Sequence, residues 1–191
     1  MGKNTVKGKD ESGRRVLGEG KHLRLIDANG WEMVERRNIS GIVVLIAMTI
    51  EGELVLVEQE RPPVGARVIE LPAGLAGDLP GSEDEALLGA AQRELLEETG
   101  YASDDWQAVT AGPVSPGLSN EVITLFLARN AVRVGEGGGD EHEDIEVHVV
   151  PLAHAATWLE QRRLEGTAVD PKVYAGLYFA ERSARTAVKD D

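Results

Sequence analysis

The sequence of 191 residues contains no cysteine, which excludes disulfides, zinc–thiolate sites and a cysteine nucleophile. It also lacks a long hydrophobic run. The longest apolar stretch, residues 42–48, is far too short to cross a bilayer. No N-terminal stretch resembles a signal peptide, so we expect a cytoplasmic protein that does not associate with membranes.

Positive charge is scarce as well. Lys and Arg number 20 against 33 Asp and Glu, which gives a formal net charge of −13. Nucleic acids and anionic membrane surfaces are bound through basic residues, so we expect neither as a partner. A small phosphate substrate remains compatible with this charge, because a bound metal ion reverses the local sign.

The remaining composition is that of a globular chain, with 42% hydrophobic and 28% charged residues. Residues 1–15 are polar and aperiodic, and we predict a flexible tail there. Residues 16–40 contain Asn29-Gly30 between two strand-like runs, 22–26 and 31–36, which predicts a β-hairpin. The length allows one main domain, residues 41–191.

Strands and helices alternate in that domain. This mixture favours an α/β (α+β) fold, a sandwich with helices on either side of a mixed sheet. A glycine-rich segment, residues 135–140, is predicted to be flexible. The predicted strands are residues 42–50, 54–58, 68–71, 106–110, 122–128 and 145–150, and the predicted later helices are residues 152–164 and 170–184.

The most informative helix ends at Gly100, a typical C-terminal glycine. Ser82 and Glu85 have the spacing of a capping box and predict its start. Glu94, Glu97 and Glu98 are spaced i, i+3, i+4, so their carboxylates crowd together on one face. Mg²⁺ prefers such oxygen ligands together with substrate phosphates. The alternative is a solvated acidic face without a metal ion.

The order of residues around this helix resembles a known signature. Glu85 is followed after seven residues by REUxEExGU at residues 93–101, where U is apolar. This pattern is similar to the box of the Nudix hydrolase superfamily. The departure is the first glycine, because Gly74 lies eleven positions before Glu85 instead of six. We interpret the difference as five extra residues in the loop 75–84.

The resemblance implies the Nudix fold, an α/β/α sandwich, with an N-terminal β-hairpin extension, and a diphosphate hydrolase that uses two or three Mg²⁺ ions, or Mn²⁺ instead. It implies that Glu94 and Glu98 are the central metal ligands and that Glu97 assists them. The Ala73 carbonyl would complete one metal shell. Arg93, together with Glu85, would hold the loop and the helix in place.

A second acidic group, residues 140–144, precedes a strand. By itself it is typical of a solvated turn. The resemblance to ADP-ribose pyrophosphatases of the superfamily implies that this loop delivers the catalytic base. Glu141 and Glu143 are the candidates, and we favour Glu141 as the base and Glu143 as a ligand, with His142 as a weaker choice.

Further stretches are similar to the same subgroup: residues 61–65, Pro116 with Gly117 at the start of 116–120, and the hairpin with Trp31, which in that subgroup is exchanged within a homodimer. Trp31 would stack on the base, although packing onto the core is a close alternative. The resemblance extends the substrate-binding set to Arg36 and Arg61 for phosphate oxygens, Glu70 and Glu121 for ribose hydroxyls, and Gly74, Pro116 and Gly117.

The sequence therefore predicts Mg²⁺-dependent hydrolysis of ADP-ribose to AMP and ribose 5-phosphate. One alternative is the same reaction on another nucleoside diphosphate sugar, such as GDP-mannose. A second, from a different class, is a non-catalytic Nudix domain that binds a nucleotide sugar and regulates a partner.

Overall fold

A computed structural model describes residues 13–79, 81–139 and 144–187. Within these ranges the chain forms two sheets and three helices. The strands are β1 (Arg14–Glu19), β2 (Leu23–Ala28), β3 (Trp31–Arg36), β4 (Gly41–Thr49), β5 (Glu53–Arg61), β6 (Ala66–Glu70), β7 (Ala73–Ala76), β8 (Tyr101–Ala102), β9 (Asp105–Pro113), β10 (Val122–Arg133), β11 (Glu146–Pro151) and β12 (Ala168–Val169). The helices are α1 (Leu87–Thr99), α2 (Leu152–Leu164) and α3 (Pro171–Ala187).

The smaller sheet is an antiparallel meander in the order β1-β2-β3. Asn29 and Gly30, between β2 and β3, both have positive φ, 55° and 91°. A two-residue turn with positive φ at both positions matches the twist of a hairpin, which is why Asn-Gly is favoured there. The predicted hairpin is present, and β1 adds a third strand that begins at Arg14, inside the stretch predicted to be a tail.

The larger sheet is mixed and has β4 near its centre. Strand β4 pairs in parallel with β10 and antiparallel with β5 and β7. The main path runs β12-β6-β5-β4-β10-β8, while β11 adds to β5 and β9 adds to β10. Strand β7 pairs with residues 41–44 at the start of β4, and β11 pairs with residues 53–58 of β5.

Both faces of the large sheet are covered, and β4 shows why. Its side chains alternate between two apolar clusters, because successive residues of a strand point to opposite faces. Val43 and Leu45 pack with Leu95 of α1, and Val44 and Ile46 pack with residues of α2 and α3. The predicted α/β/α sandwich with a mixed sheet is therefore confirmed.

The predicted start of α1 is wrong in its detail. Ala86 occupies the N-cap position and makes no side-chain hydrogen bond to the helix. The Ser82 hydroxyl donates to the Leu79 carbonyl instead, and the Glu85 carboxylate accepts from the Gly77 N–H. Ser82 and Glu85 thus stabilise the preceding loop rather than a capping box.

The end of α1 follows the prediction. Gly100 has φ 74°, in the left-handed region, and its N–H donates to the Leu96 carbonyl. A Cβ atom at this position would lie 2.4 Å from the Gly135 carbonyl oxygen. Gly100 therefore ends the helix and also lets the chain at residue 135 pass close behind it.

Helix α3 begins as predicted from Asp170-Pro171. The Asp170 Oδ1 atom accepts the Lys172 N–H at 2.7 Å, and the Asp170 N–H donates to the Ile69 carbonyl at 2.9 Å. Gly176 allows α3 to pack closely, because an added Cβ would lie 2.8 Å from Leu71. No helix in the described ranges is long and apolar enough to cross a membrane.

Candidate active site

A cavity of about 440 Å³ lies where β4, β5 and β7 meet α1 and α3. It brings together residues that are up to 136 positions apart in the sequence. Of the residues singled out from the sequence, the cavity is lined by Arg36, Arg61, Glu70, Ala73, Gly74, Glu94, Glu98 and Glu121.

Glu94 and Glu98 present their carboxylates to this cavity from successive turns of α1. Glu98 is only 4% exposed, and its Oε2 atom accepts the Ala73 N–H at 3.0 Å. This hydrogen bond connects the last turn of α1 to the start of β7. Glu97 lies on the outer side of the group, and its side chain is 53% exposed.

Arg93 connects the acids of this region. Its guanidinium donates to Glu94 at 2.9 Å, to Glu97 at 3.0 Å and to Glu85 at 3.2 Å. It also donates to the Leu75 carbonyl at 2.9 Å. Arg93 thereby fixes the loop after β7 against α1, the position that the resemblance implied for it.

Electrostatics at Glu94 differ from those of an ordinary surface carboxylate. Burial raises the pKa of Glu94 to about 7, and the charges of Glu97 and Asp78 add to the increase, although Arg93 opposes it. One arginine therefore does not compensate the acids around it. The hydrogen bond from Arg93 lowers the pKa of Glu85 below its ordinary value, so Glu85 and Glu94 are not equivalent although both bind Arg93.

Gly74 makes room for Glu94. A Cβ atom at position 74 would lie 1.9 Å from the Glu94 Cδ atom, so no other residue fits without moving that carboxylate. Buried oxygen ligands with excess negative charge suit a hard divalent cation such as Mg²⁺. The donor set at Glu94, Glu98 and the β7 backbone therefore fits the metal ion predicted from the sequence.

Two arginine–glutamate pairs line the same cavity. Arg36 Nε donates to Glu121 at 2.8 Å, and Arg61 Nε donates to Glu70 at 2.6 Å. Each pair joins two residues that the resemblance implies for substrate binding. The guanidinium groups are partly exposed, with 33% and 41% of their side chains accessible, so they remain within reach of a ligand.

Trp31 and the loop at 116–117 do not line this cavity. Trp31 is 61% exposed, and its indole N–H donates to the Gly117 carbonyl at 3.3 Å. The Val34 N–H donates to the Leu118 carbonyl at 2.8 Å, so β3 rests on the loop that follows Pro116. These residues thus form a separate contact between the hairpin sheet and the 115–120 loop.

Glu141 and Glu143, predicted as base and ligand, lie outside the described residues. The described chain just before them is hydrogen-bonded to α1. The N–H groups of Gly138 and Gly139 donate to the carbonyls of Glu98 and Glu97, at 2.8 and 3.0 Å. These bonds join the glycine-rich segment to the last turn of the helix that carries the acids.

Three polar residues of the cavity were not predicted from the sequence: Gln59 on β5, Asp78 in the loop after β7, and Lys172 at the start of α3. Asp78 lies 3.6 Å from the Arg93 guanidinium. It belongs to the loop 75–84, for which five extra residues are predicted from the sequence. No sequence motif marks Gln59 or Lys172, and only the pairing of β5, β6 and β12 brings them to the cavity.

A second group of acids lies elsewhere. Among the described residues, Glu58, Glu146 and His148 have ligand atoms within 4.8 Å of one another. Glu58 is also bound by Arg162 at 2.9 Å and lies 3.4 Å from Arg67. Two guanidinium groups already occupy its oxygens, so we regard this Glu58 network as structural rather than as a metal site.

Comparison with known proteins identifies related chains. The family model described as NUDIX domain matches residues 38–175. The chain is 37% identical over 151 residues to an ADP-ribose pyrophosphatase of Bacillus subtilis, which covers 78% of this chain and 77% of the relative. It is 35% identical to a GDP-mannose pyrophosphatase of Cronobacter sakazakii, with 68% of each chain covered.

Two further similarities bear on function and on fold. A methanol dehydrogenase activator of Bacillus methanolicus is 34% identical over 125 residues, which span 65% of each chain, slightly less than two thirds. A solved structure described as an ADP compounds hydrolase superposes with a TM-score of 0.66 over 98% of this chain and 96% of that chain. Its sequence identity is 20%, so it supports the fold alone.

Proposed function

The chain belongs to the NUDIX-domain family of hydrolases, and from this premise we propose that it hydrolyses ADP-ribose to AMP and ribose 5-phosphate with Mg²⁺. The observation that carries the proposal is the cavity in which the α1 carboxylates, Glu94 and Glu98, face two arginines, Arg36 and Arg61. A diphosphate needs cationic groups on its oxygens, and a divalent cation needs carboxylates. One cavity supplies both.

The metal ions are proposed to be held by Glu94, Glu98 and the Ala73 carbonyl, with Glu97 and Glu143 assisting. When bound, Mg²⁺ supplies positive charge that neutralises the diphosphate oxygens and favours ionisation of a water molecule. Two or three ions, or Mn²⁺ in their place, are consistent with the number of acids. Because Gly74 has no Cβ atom, it leaves room for the Glu94 carboxylate in its observed position.

Hydrolysis adds one water molecule across the bridging P–O bond. The water oxygen attacks one phosphorus, its proton is taken up by a carboxylate, and the bridging oxygen leaves with the other phosphoryl group. We propose Glu141 as that base and Glu143 as a ligand. The hydrogen bonds from Gly138 and Gly139 to the end of α1 support this, because they keep the chain before Glu141 beside the acidic helix.

Arg93 acts on the positions of the acids rather than on the substrate. Its five donors are shared among Glu85, Glu94, Glu97 and the Leu75 carbonyl. Removing it would release the loop after β7 and leave the carboxylates free to repel one another. The contribution of Arg93 to the reaction is therefore the orientation of Glu94 and of the β7 backbone.

Arg36 and Arg61 are proposed to bind phosphoryl oxygens, which requires their pairs with Glu121 and Glu70 to open or to be shared. Glu70 and Glu121 then accept hydrogen bonds from ribose hydroxyls. Gly74, Pro116 and Gly117 complete the proposed set of substrate-binding residues.

Trp31 is proposed to stack on the adenine base. Its 61% exposure leaves the indole face accessible, but the indole does not line the cavity of a single chain. Stacking would therefore require the second chain of a homodimer, with the hairpin 16–40 exchanged. Exposed Leu23 and Leu25 on β2 support an apolar contact on this hairpin sheet. We further propose a cytoplasmic location and no nucleic-acid partner.

The test is to incubate the protein with Mg²⁺ and a panel of nucleoside diphosphate sugars, and to identify the products by chromatography. We expect ADP-ribose to be consumed fastest, with equal amounts of AMP and ribose 5-phosphate. Preferred consumption of GDP-mannose would support the alternative that the similarity to the Cronobacter sakazakii protein favours. Tight binding without any turnover would instead support a non-catalytic, regulatory domain.

A further inference from the structure

Gln59 has an unusual environment in the cavity. It is 8% exposed and lines the same cavity as Glu94 and Glu98. Within the described residues its amide group makes no hydrogen bond, although a primary amide offers two donor hydrogens and an acceptor oxygen. Buried polar groups of folded proteins are nearly always paired. The Gln59 amide atoms are not fully shielded from solvent, so this otherwise buried side chain presents them to the cavity, where a ligand can pair with them.

Lys172 adds a cation to the same cavity. Its ammonium group pairs with the Asp170 carboxylate, and 27% of its side chain remains accessible. Asp170 also caps α3, accepting the backbone N–H of Lys172 at 2.7 Å. Asp170 therefore keeps a hydrogen bond when the ammonium group turns to another anion. A lysine ammonium is a compact charge that commonly binds phosphate.

The fold brings these two side chains to one wall of the cavity. Gln59 is opposite Val68 in the β5–β6 pairing, and the Asp170 N–H donates to the carbonyl of Ile69, the next residue of β6. The first turn of α3 is thereby attached to β6 close to Gln59. Arg61 lies on the same face of β5 as Gln59, because side chains alternate along a strand.

We propose that Gln59 and Lys172 form a subsite for the phosphorylated sugar half of the substrate, with Lys172 on a phosphoryl oxygen and Gln59 on a sugar hydroxyl. The inference rests on the proposed function, since it assumes a sugar attached to a diphosphate. The metal-binding carboxylates come from α1, whereas this subsite comes from β5 and α3. The two walls would then recognise different parts of one ligand.

Product inhibition tests the subsite, because the two products separate the two halves of the substrate. The variants are Lys172→Met, Lys172→Arg and Gln59→Leu, with Lys21→Met, an exposed lysine outside the cavity, as the matched control. We expect Lys172→Met and Gln59→Leu to raise the inhibition constant of ribose 5-phosphate about tenfold and that of AMP less than twofold.

Further expectations distinguish binding from structure. Lys172→Met should raise KM for ADP-ribose about tenfold with little change in kcat, as for loss of uniform binding. Lys172→Arg should recover most of the affinity, because the charge is kept, and Lys21→Met should match the parent protein. An unchanged inhibition constant for ribose 5-phosphate overturns the proposal, and so does a rise confined to AMP.

Failure of the subsite and failure of the proposed reaction give different results. If the parent protein hydrolyses ADP-ribose and the variants are inhibited by ribose 5-phosphate as strongly as the parent, only the subsite proposal is refuted. If the parent protein hydrolyses no nucleotide sugar, calorimetric titration with ribose 5-phosphate decides. If the parent protein binds ribose 5-phosphate and Lys172→Met weakens that binding, the proposed subsite is supported. If the parent protein does not bind ribose 5-phosphate, the proposed subsite is refuted. Circular dichroism of each variant checks that α3 still folds.

Discussion

Two clusters of acidic side chains in this protein, each with a buried glutamate at its centre, have opposite charge balance. In the α1 group, Glu94 and Glu97 share one arginine, Arg93, with Glu85, and burial raises the pKa of Glu94 to about 7. In the Glu58 network the buried glutamate, Glu58, is 5% exposed and faces two arginines, Arg67 and Arg162, together with His148.

The pKa of Glu58 shows the consequence of that balance. Burial alone would raise it, but hydrogen bonds from His148 and Arg162 hold it below its ordinary value. Protein cations already neutralise the Glu58 carboxylate, whereas the charge of Glu94 is not compensated in this way and a metal ion would stabilise it. Close spacing of acids and a histidine therefore does not identify a cation site, whereas the balance of charge around them does.

The largest expected effect is on turnover. Glu98→Gln removes a carboxylate that faces the cavity, and we expect kcat for ADP-ribose to fall about 10³-fold or more, roughly 4 kcal/mol of transition-state stabilisation. The matched control, Glu58→Gln, changes an equally buried glutamate outside the cavity. It should keep kcat per folded molecule within about twofold. Steady-state rates with folded protein quantified by circular dichroism make the comparison, and near-normal kcat for Glu98→Gln contradicts the mechanism.

The free energy of unfolding should fall more for Glu58→Gln than for Glu98→Gln, the reverse of their effects on turnover. Glu58→Gln leaves Arg67 and Arg162 partly buried without their shared anion, and we expect a loss of about 3 kcal/mol in the free energy of unfolding. Glu98→Gln keeps an acceptor for the Ala73 N–H and should lose about 1 kcal/mol or less. Urea unfolding without metal ions measures both. Equal losses would mean that the two groups have the same structural role.

The pH dependence of stability should differ between the two groups. The folded protein keeps the Glu94 proton between pH 4.5 and about 7, while the unfolded chain has lost it. The free energy of unfolding therefore falls as pH rises through this window. Glu94→Gln removes this cost, so the metal-free variant should gain about 1–3 kcal/mol above pH 7 and little at pH 4.5.

The Glu58 network behaves oppositely. The folded-state pKa of Glu58 is lowered, so its contribution is complete above the ordinary value of 4.5 and is lost as pH falls through the lower folded value. Thermal unfolding of the parent protein, Glu94→Gln and Glu58→Gln from pH 3 to 8 checks both signs. A Glu94→Gln gain that is largest in acid would refute the assignment.

The smallest effect is expected for Glu146→Gln. The Glu146 side chain is 63% exposed and lies 4.0 Å from both His148 and Arg67, so its ion pairs are weak. We expect the free energy of unfolding to change by about 0.5 kcal/mol or less. Magnesium-induced thermal stabilisation should be unchanged. Loss of that stabilisation would show that the Glu58 network binds the cation.

Much of this architecture could be predicted from local sequence signals. Asn29-Gly30 specifies a turn with positive φ at both positions, Gly100 specifies a left-handed helix end, and Asp170-Pro171 specifies a helix start. Each signal depends on backbone conformation at one or two residues. The capping box failed because Glu85 has a stronger partner than the helix N-terminus, the Arg93 guanidinium.

The parts of the site that could not be predicted come from pairing between distant segments. Gln59 and Lys172 reach the cavity only because β5, β6 and β12 are neighbours in the sheet. Asp78 reaches Arg93 through the path of the loop after β7, which no periodicity describes. The Glu58 network joins residues 58, 148 and 162, and no single stretch of the chain reports that contact.

The central claim is that the α1 carboxylates hold the divalent cation. Anomalous diffraction at the manganese edge, from crystals grown with MnCl₂ and a non-hydrolysable ADP-ribose analogue, tests it most directly. The account predicts anomalous peaks within about 2.5 Å of Glu94 and Glu98 carboxylate oxygens, beside the Ala73 carbonyl. Peaks at Glu58, Glu146 and His148, with none beside α1, would contradict it.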